Sequence, residues 1–301
     1  MFDIVVIGHF SIDSITLPSV KKPYVILGGS AAYVSLSAKS LGVNVAVISK
    51  VGDDFPKAYL WWLSREGVDL SGVIRSREAW TTKFELKYSE DFSERNLRLI
   101  SRAPPITMED LPKTVRAKAI HVAPIANEIS YEVIEGVRRS AEILSLDPQG
   151  LIRVFDDNGN VSYRALEKME TLSLVDIYKS TYEEIKALTG EVNLKNAIRI
   201  IHDHGVKTVI VTLGNKGAAL SVEGAICNIP AYKPPKVVDP TGAGDAFIGG
   251  FLAEYLRGSD MLWCACVGSA IASTAVESIG PTFSSSKSEI YQRARTLYEE
   301  E

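Results

Sequence analysis

The stretch Val237-Val238-Asp239-Pro240-Thr241-Gly242-Ala243-Gly244-Asp245-Ala246-Phe247-Ile248-Gly249 decides how the chain is read. Two β-branched residues close a predicted strand. A G-x-G pair and an aspartate follow, and then Phe247, Ile248, Phe251, Leu252 and Tyr255 recur at helical spacing. The pattern predicts a strand, a tight glycine turn and a helix. Gly242 and Gly244 allow backbone conformations that other residues avoid, and they leave room for a ligand. The first N–H groups of the helix have no intrahelical partner, so an anion is favoured there. Asp245 adds a carboxylate that can accept a proton. A carboxylate beside an anion hole is what transfer of a phosphoryl group to a hydroxyl requires. A lone G-x-G-D is more often a plain strand–helix connection, so the rest of the chain must decide.

The bulk numbers exclude several classes. With 301 residues, 46% hydrophobic and 23% charged, the chain has the makeup of a globular α/β protein. Its net charge of −4 implies no basic surface, and nucleic acid is not an expected partner. Cys264 and Cys266 form C-x-C in an apolar helical run without a second ligand pair, so no metal centre is expected there, and the compartment is expected to be reducing and cytoplasmic. The opening MFDIVVIGHF has no basic segment and is expected to be a buried strand and not a signal peptide. No apolar run approaches membrane-spanning length, so no membrane partner is expected.

Working outward, Ile4–Ile7 and Val43–Ser49 are apolar strand runs, and Gly28-Gly29-Ser30 opens a helix that ends at Gly42. Gly8 to Asp13 is expected to be a turn, followed by short strands at Ile15–Leu17 and Tyr24–Leu27. Thr81 to Tyr88 alternates with period two, and Asn96–Ile100 returns after a polar turn, predicting an antiparallel hairpin. Thr107-Met108-Glu109-Asp110 is expected to start a helix. From Ala119 onward, strand and helix patterns alternate, which predicts a mostly parallel sheet with helices on both faces.

In this order the motifs resemble the ribokinase-like (PfkB) carbohydrate kinase family, closest in wording to its myo-inositol kinase branch, from Gly8 to Pro281. The family's D-T-T-G-A-G-D appears as Asp239 to Asp245, with Pro240 replacing a threonine. The resemblance implies a three-layer α/β/α fold with a mostly parallel central sheet and a small β-sheet lid. It implies one kinase domain over 1–301, with lid strands drawn from about 14–27 and 72–101. Such a lid would keep water from the phosphate.

The resemblance also assigns residues. Asp245 is the implied catalytic base, with Gly242, Ala243 and Gly244 forming the anion hole. Asp13, Gly28 and Gly29 match sugar-binding positions, and Tyr33 stands where asparagine is usual. Asp147-Pro148-Gln149-Gly150-Leu151-Ile152-Arg153 and Val276-Glu277-Ser278-Ile279-Gly280-Pro281 resemble inositol-kinase wording. Gln149 and Arg153 would then meet the acceptor, although Arg153 equally suits a surface ion pair. Lys179, Thr181 (in place of asparagine), Thr212, Gly214, Gly217 and Gly244 are the implied nucleotide positions. As a lone motif, T-x-G-x-x-G fits any glycine hairpin. Glu184 would act on magnesium through water, or simply cap its helix. Asp239 and Thr241 are candidates for a monovalent cation, K+ in some members.

The expected activity is therefore ATP- and Mg2+-dependent phosphorylation of a sugar or polyol hydroxyl, with myo-inositol first. Nucleosides and ketoses or keto-sugar acids are the alternatives, in a monomer or homodimer. The helix N-terminus favours ionised Asp245, so its carboxyl is expected not to be raised and to act mainly by position. A catalytically silent sugar- or nucleotide-binding regulator is the alternative of another class, supported by off-pattern Tyr33 and Thr181. No G-x-x-x-x-G-K-[ST] and no H-R-D with downstream D-F-G occurs. Phe247, where a third glycine would stand, excludes a Rossmann dehydrogenase turn.

Overall fold

The computed structural model describes every residue except Ser19, Lys21, Asp91, Ser93, Glu94, 113–115 and Glu301, so part of the expected polar turn between Ser89 and Arg95 lies outside the described residues. Along the chain the strands are β1 (Phe2–Ile7), β2 (Ser11–Thr16), β3 (Tyr24–Gly28), β4 (Val45–Val51), β5 (Asp69–Arg75), β6 (Thr82–Tyr88), β7 (Arg95–Ser101) and β8 (Ala117–Val122). Then come β9 (Ala141–Leu146), β10 (Arg153–Phe155), β11 (Val161–Tyr163), β12 (Ile177–Thr181), β13 (Thr208–Thr212), β14 (Ala218–Val222) and β15 (Ala225–Ile229).

Nine of these form the central sheet in the order β15-β14-β13-β12-β9-β8-β1-β4-β5. Pairing is parallel from β13 to β5 and antiparallel through β13, β14 and β15. The continuous apolar runs are explained by burial on both faces. In β1, Ile4 and Val6 pack into one core with Val34, Phe251, Val267 and Leu297. Val5 and Ile7 face the other core, with Ile134, Ile185 and Ile198. Helices thus cover both sides, giving the expected three layers.

The lid is a four-stranded sheet in the order β3-β2-β6-β7, with β2 and β6 parallel. Its buried face, Ile15, Phe84 and Leu86, packs on Ile125 and Ala126. Four expectations need correction. Residues 72–75 belong to β5 of the central sheet and not to the lid, because they pair with β4 up to Val51↔Arg75 and Leu70 and Val73 pack on the main core. The lid instead begins at Ser11, so Asp13 sits inside β2, paired with Ile26 and Phe84, and not in a turn. Thr107–Asp110 makes one 3-10 turn, Met108–Asp110, with a capping box; the backbone is extended from Leu111, the residue before Pro112. Val237 and Val238 are not a strand: the N–H groups of Val238 and Asp239 both donate to the carbonyl of Val276 at the end of a helix.

Candidate active site

The turn after Asp239 forms as expected. Gly242 is the N-cap of the helix Ala243–Tyr255 and takes the left-handed conformation, φ 76°. A Cβ there would run into the Tyr33 ring, so glycine is required twice over, by conformation and by space. Asp245 lies in the first helical turn, half-buried.

Residues far apart in the chain converge on Asp245. Ser30, the first residue of the helix Ser30–Ser40, hydrogen-bonds to it. Gln149 Nε2 donates to Ser30 Oγ at 2.8 Å and lies 3.4 Å from Asp245 Oδ1. Arg153 donates to Gln149 Oε1 at 2.5 Å and to the Ile125 carbonyl at 2.8 Å. Arg153 is buried and makes no ion pair among the described residues, so the surface-pair alternative does not apply. On the other side, Lys179 and Asp147 make a buried ion pair of 2.6 Å. A Cβ on Gly244 would stand 2.9 Å from Lys179 Nζ and 3.8 Å from Thr212 Oγ1. Gly244 is thus the place where the helix start, the ammonium and Thr212 meet.

This setting overturns the expectation for the Asp245 carboxyl. Burial pushes its pKa up, Lys179 pulls it down, and Asp147 pushes it up again, leaving it raised. Burial opposes the Lys179 charge, but Asp147, Asp245 and Glu184 outweigh it and hold the ammonium well above its ordinary range.

Across the cleft, Asp13 and Tyr33 are almost wholly buried. Asp13 Oδ1 accepts from Ser11 Oγ at 2.6 Å, and its carboxylate lies against bare Gly28 Cα. Burial pushes this carboxyl up to about 7, against the Ser11 bond and the charge of Arg95. Among the described residues the Tyr33 hydroxyl has no hydrogen-bond partner, nor does Asp239 Oδ2. Burial, with Asp239 and Asp13 next, raises the Tyr33 phenol well above its ordinary value. Asp239 Oδ1 accepts from the Thr241 N–H at 3.0 Å and from Thr241 Oγ1 at 2.6 Å. Since the Thr241 hydroxyl has spent its proton there, Tyr88 donates to Thr241 Oγ1 at 2.8 Å. That bond joins the lid to the turn. Arg95, opposite Tyr88 across the hairpin, hydrogen-bonds to its phenol.

The remaining expected residues divide. Gly214 has φ 62° with open space beside it, as a ligand cradle needs. Gly217, φ 93°, lies so close to the backbone of Ile229 to Ala231 that a Cβ would not fit, which shapes the hairpin. Thr181 and Glu184 form a reciprocal capping box: Glu184 Oε2 accepts from the Thr181 N–H at 2.8 Å. Gly29, φ 87°, turns the chain into the Ser30–Ser40 helix.

Among the described residues no group of three or more His, Cys, Asp or Glu is arranged to hold a metal. A magnesium carried by donor phosphates and water, with Glu184 beside it, fits this donor set, whereas a protein cage does not. Asp239 Oδ2, buried and without a partner among the described residues, is the atom that would suit a monovalent cation. Sequence reasoning missed Ser30, Asp147, Tyr88 and Arg95 as site residues. The usable signals were the Gly28-Gly29-Ser30 helix start and Asp147 at the carboxyl end of a strand, where ligands gather in such sheets. No helix is long and apolar enough to cross a membrane among the described residues.

Comparison with known proteins gives a consistent picture. The description "pfkB family carbohydrate kinase" matches residues 1–288. The chain is 35% identical over 275 residues to a cytidine kinase of Thermococcus kodakarensis, covering 89% of this chain and 94% of that one. It is 32% identical over 273 residues to an inositol 3-kinase of Oryza sativa subsp. japonica, covering 85% and 64%. A solved pyrophosphate-dependent kinase in the ribokinase family, complexed with a pyrophosphate analog and myo-inositol, superposes with TM-score 0.82 at 26% identity, covering 96% and 99%.

Proposed function

We propose, for a chain that belongs to the pfkB family of carbohydrate kinases, transfer of the γ-phosphoryl group of ATP to a hydroxyl of a small polyhydroxylated acceptor held between Asp13 and Asp245. The observation that carries this reading is the place of Asp245. It sits at a helix N-terminus, within electrostatic reach of the Lys179 ammonium and of buried Tyr33, which is in turn within reach of Asp13.

In this reading Asp13 accepts hydrogen bonds from acceptor hydroxyls, and bare Gly28 lets the acceptor lie against the backbone. Asp245 takes the proton of the attacking hydroxyl. Its raised carboxyl makes it a better base than an exposed aspartate, and the Lys179 charge opposes that rise. The N–H groups of Ala243 to Asp245 and the Lys179 charge stabilise negative charge on the group in transfer. Thr212 and the open turn at Gly214 receive the donor. Glu184 would order water around magnesium, which supplies charge neutralisation of the donor phosphates. Asp239 Oδ2 would hold a monovalent cation beside the turn.

For the acceptor we put nucleosides first, cytidine above all, on the strength of the 35% identical relative. The second reading is myo-inositol, favoured by the loops at 147–153 and 276–281 and by the 32% identical relative. ADP release from ATP and magnesium is to be followed with cytidine, other nucleosides, myo-inositol and fructose, with pyrophosphate tried as the second donor. Turnover strongest with cytidine supports the first reading, and turnover confined to myo-inositol supports the second. Binding without turnover for every acceptor and both donors would overturn the proposal.

A further inference from the structure

His9 lies outside the cleft, yet it is the residue on which the lid's attachments converge. It is fully buried in the loop between β1 and β2, and its backbone N–H donates to Glu128 Oε1 at 3.0 Å. Its ring reaches two separate pieces of chain. Nδ1 lies 2.8 Å from Thr82 Oγ1, on the first residue of the strand that enters the lid. Nε2 lies 3.1 Å from the carbonyl of Pro104, in the segment that leaves it.

The hydrogen-bond roles can be worked out. A carbonyl only accepts, so Nε2 carries the proton and Nδ1 is bare. Nδ1 then accepts from the Thr82 hydroxyl. Thr82 Oγ1 in turn accepts from the Ala103 N–H at 3.0 Å. The result is a closed ring running from Ala103 to Thr82, to His9, to Pro104 and back along the chain. Every donor and acceptor in it is used once. Burial, assisted by Arg102 and Lys50 and opposed by Glu128 and the Pro104 carbonyl, lowers the imidazole pKa, in the direction of this neutral form.

The ring also sits at the lid's root. Ser11 pairs with Gly28 on one side and Thr82 on the other, so three lid strands cross the root in one row. Asp13 is two residues further along β2. A shift of Thr82 or Pro104 relative to His9 is therefore passed to Asp13 through the ladder and not absorbed in a loop.

We propose that His9 is a positioning residue that locks the entering and leaving strands of the lid into one frame with Asp13, so that acceptor recognition depends on a side chain that touches no ligand. The kinetic arm of the test rests on the kinase reading above, and the exchange arm does not. Misplacement of a positioned group by about 1 Å can cost about a hundredfold. His9→Leu should raise the KM for cytidine, or for whichever acceptor the panel selects, about tenfold or more. The KM for ATP should stay within about twofold. His9→Gln, which retains a donor for Pro104, should recover part of the loss. Hydrogen exchange at the Ala103 amide should speed up about tenfold or more in His9→Leu, even with no acceptor present. If His9→Leu does not fold, Thr82→Val cuts the same ring with His9 in place, and it should give the same acceptor-selective shift and the same faster exchange. Folded variants with unchanged Ala103 exchange would overturn the proposal. So would equal rises in both KM values, because a general loss of stability does not distinguish acceptor from donor.

Discussion

The two sides of the site treat their charged groups differently. On the donor side the charged groups have partners of their own: Lys179 has Asp147, and Glu184 has the Thr181 N–H. On the acceptor side polar groups are buried and left over. The Tyr33 hydroxyl and Asp239 Oδ2 have no partner among the described residues, and Asp13 is pushed to about 7 by burial. Buried polar atoms without partners carry a cost of about 1–3 kcal/mol each. The difference teaches where the ligand completes the fold and where the protein is already complete. In the proposed reading the donor side is preassembled to stabilise charge, and the acceptor side waits for hydroxyls.

Substitutions break this contrast in order of size. Asp245→Asn stands between the two sides. It should lower kcat by about a thousandfold while the KM for ATP changes little, as measured by steady-state ADP release. Lys179→Met should strike the preassembled side, leaving Asp147 buried without its counter-charge. The expected loss is about 3–5 kcal/mol in urea unfolding, together with most turnover.

Asp13→Asn should act in the opposite sense on stability. The folded Asp13 carboxyl is raised above its unfolded value, so between about pH 4 and 7 the folded chain keeps a proton that the unfolded chain releases. Its contribution therefore falls as pH rises through that window and stays low above it. At pH 8 the unliganded Asp13→Asn protein should be more stable than the parent by about 1 kcal/mol or more, yet bind the acceptor at least tenfold more weakly. In the parent, kcat/KM for the acceptor should rise with pH through about 7, and the variant should lose that rise. Smallest is Tyr33→Phe. Removing an unpartnered buried hydroxyl should leave stability unchanged or improve it by up to about 1 kcal/mol, while acceptor KM rises by up to tenfold. Lower stability without a change in acceptor KM would mean that the hydroxyl is already satisfied inside the protein.

The same division governed what could be read from the chain alone. The donor side and the helix starts were legible because their signals are local: glycines at fixed spacing, apolar runs and strand–turn–helix order. The strand β1 and the turn at Gly242 came out as expected. The acceptor side was legible only in part. Asp13 was recognisable, but its place inside β2 depends on pairing with Phe84, 71 residues away by number. The link between Gln149 and Ser30 spans 119 residues. The raised carboxyl of Asp245 comes from depth and from Asp147, neither of which the local pattern shows, so the helix-terminus argument on its own gave the wrong direction. Residues 72–75 were misplaced because short apolar strands look alike whether they border a core sheet or a lid.

The central claim is that one turn holds two ligands at once, and calorimetric titration of cytidine into the protein saturated with magnesium and a non-hydrolysable ATP analogue tests it most directly. The account predicts one cytidine bound per chain, with affinity at least equal to that of the protein without the analogue. Progressive displacement of cytidine by the analogue would contradict it, because the two would then share a single subsite.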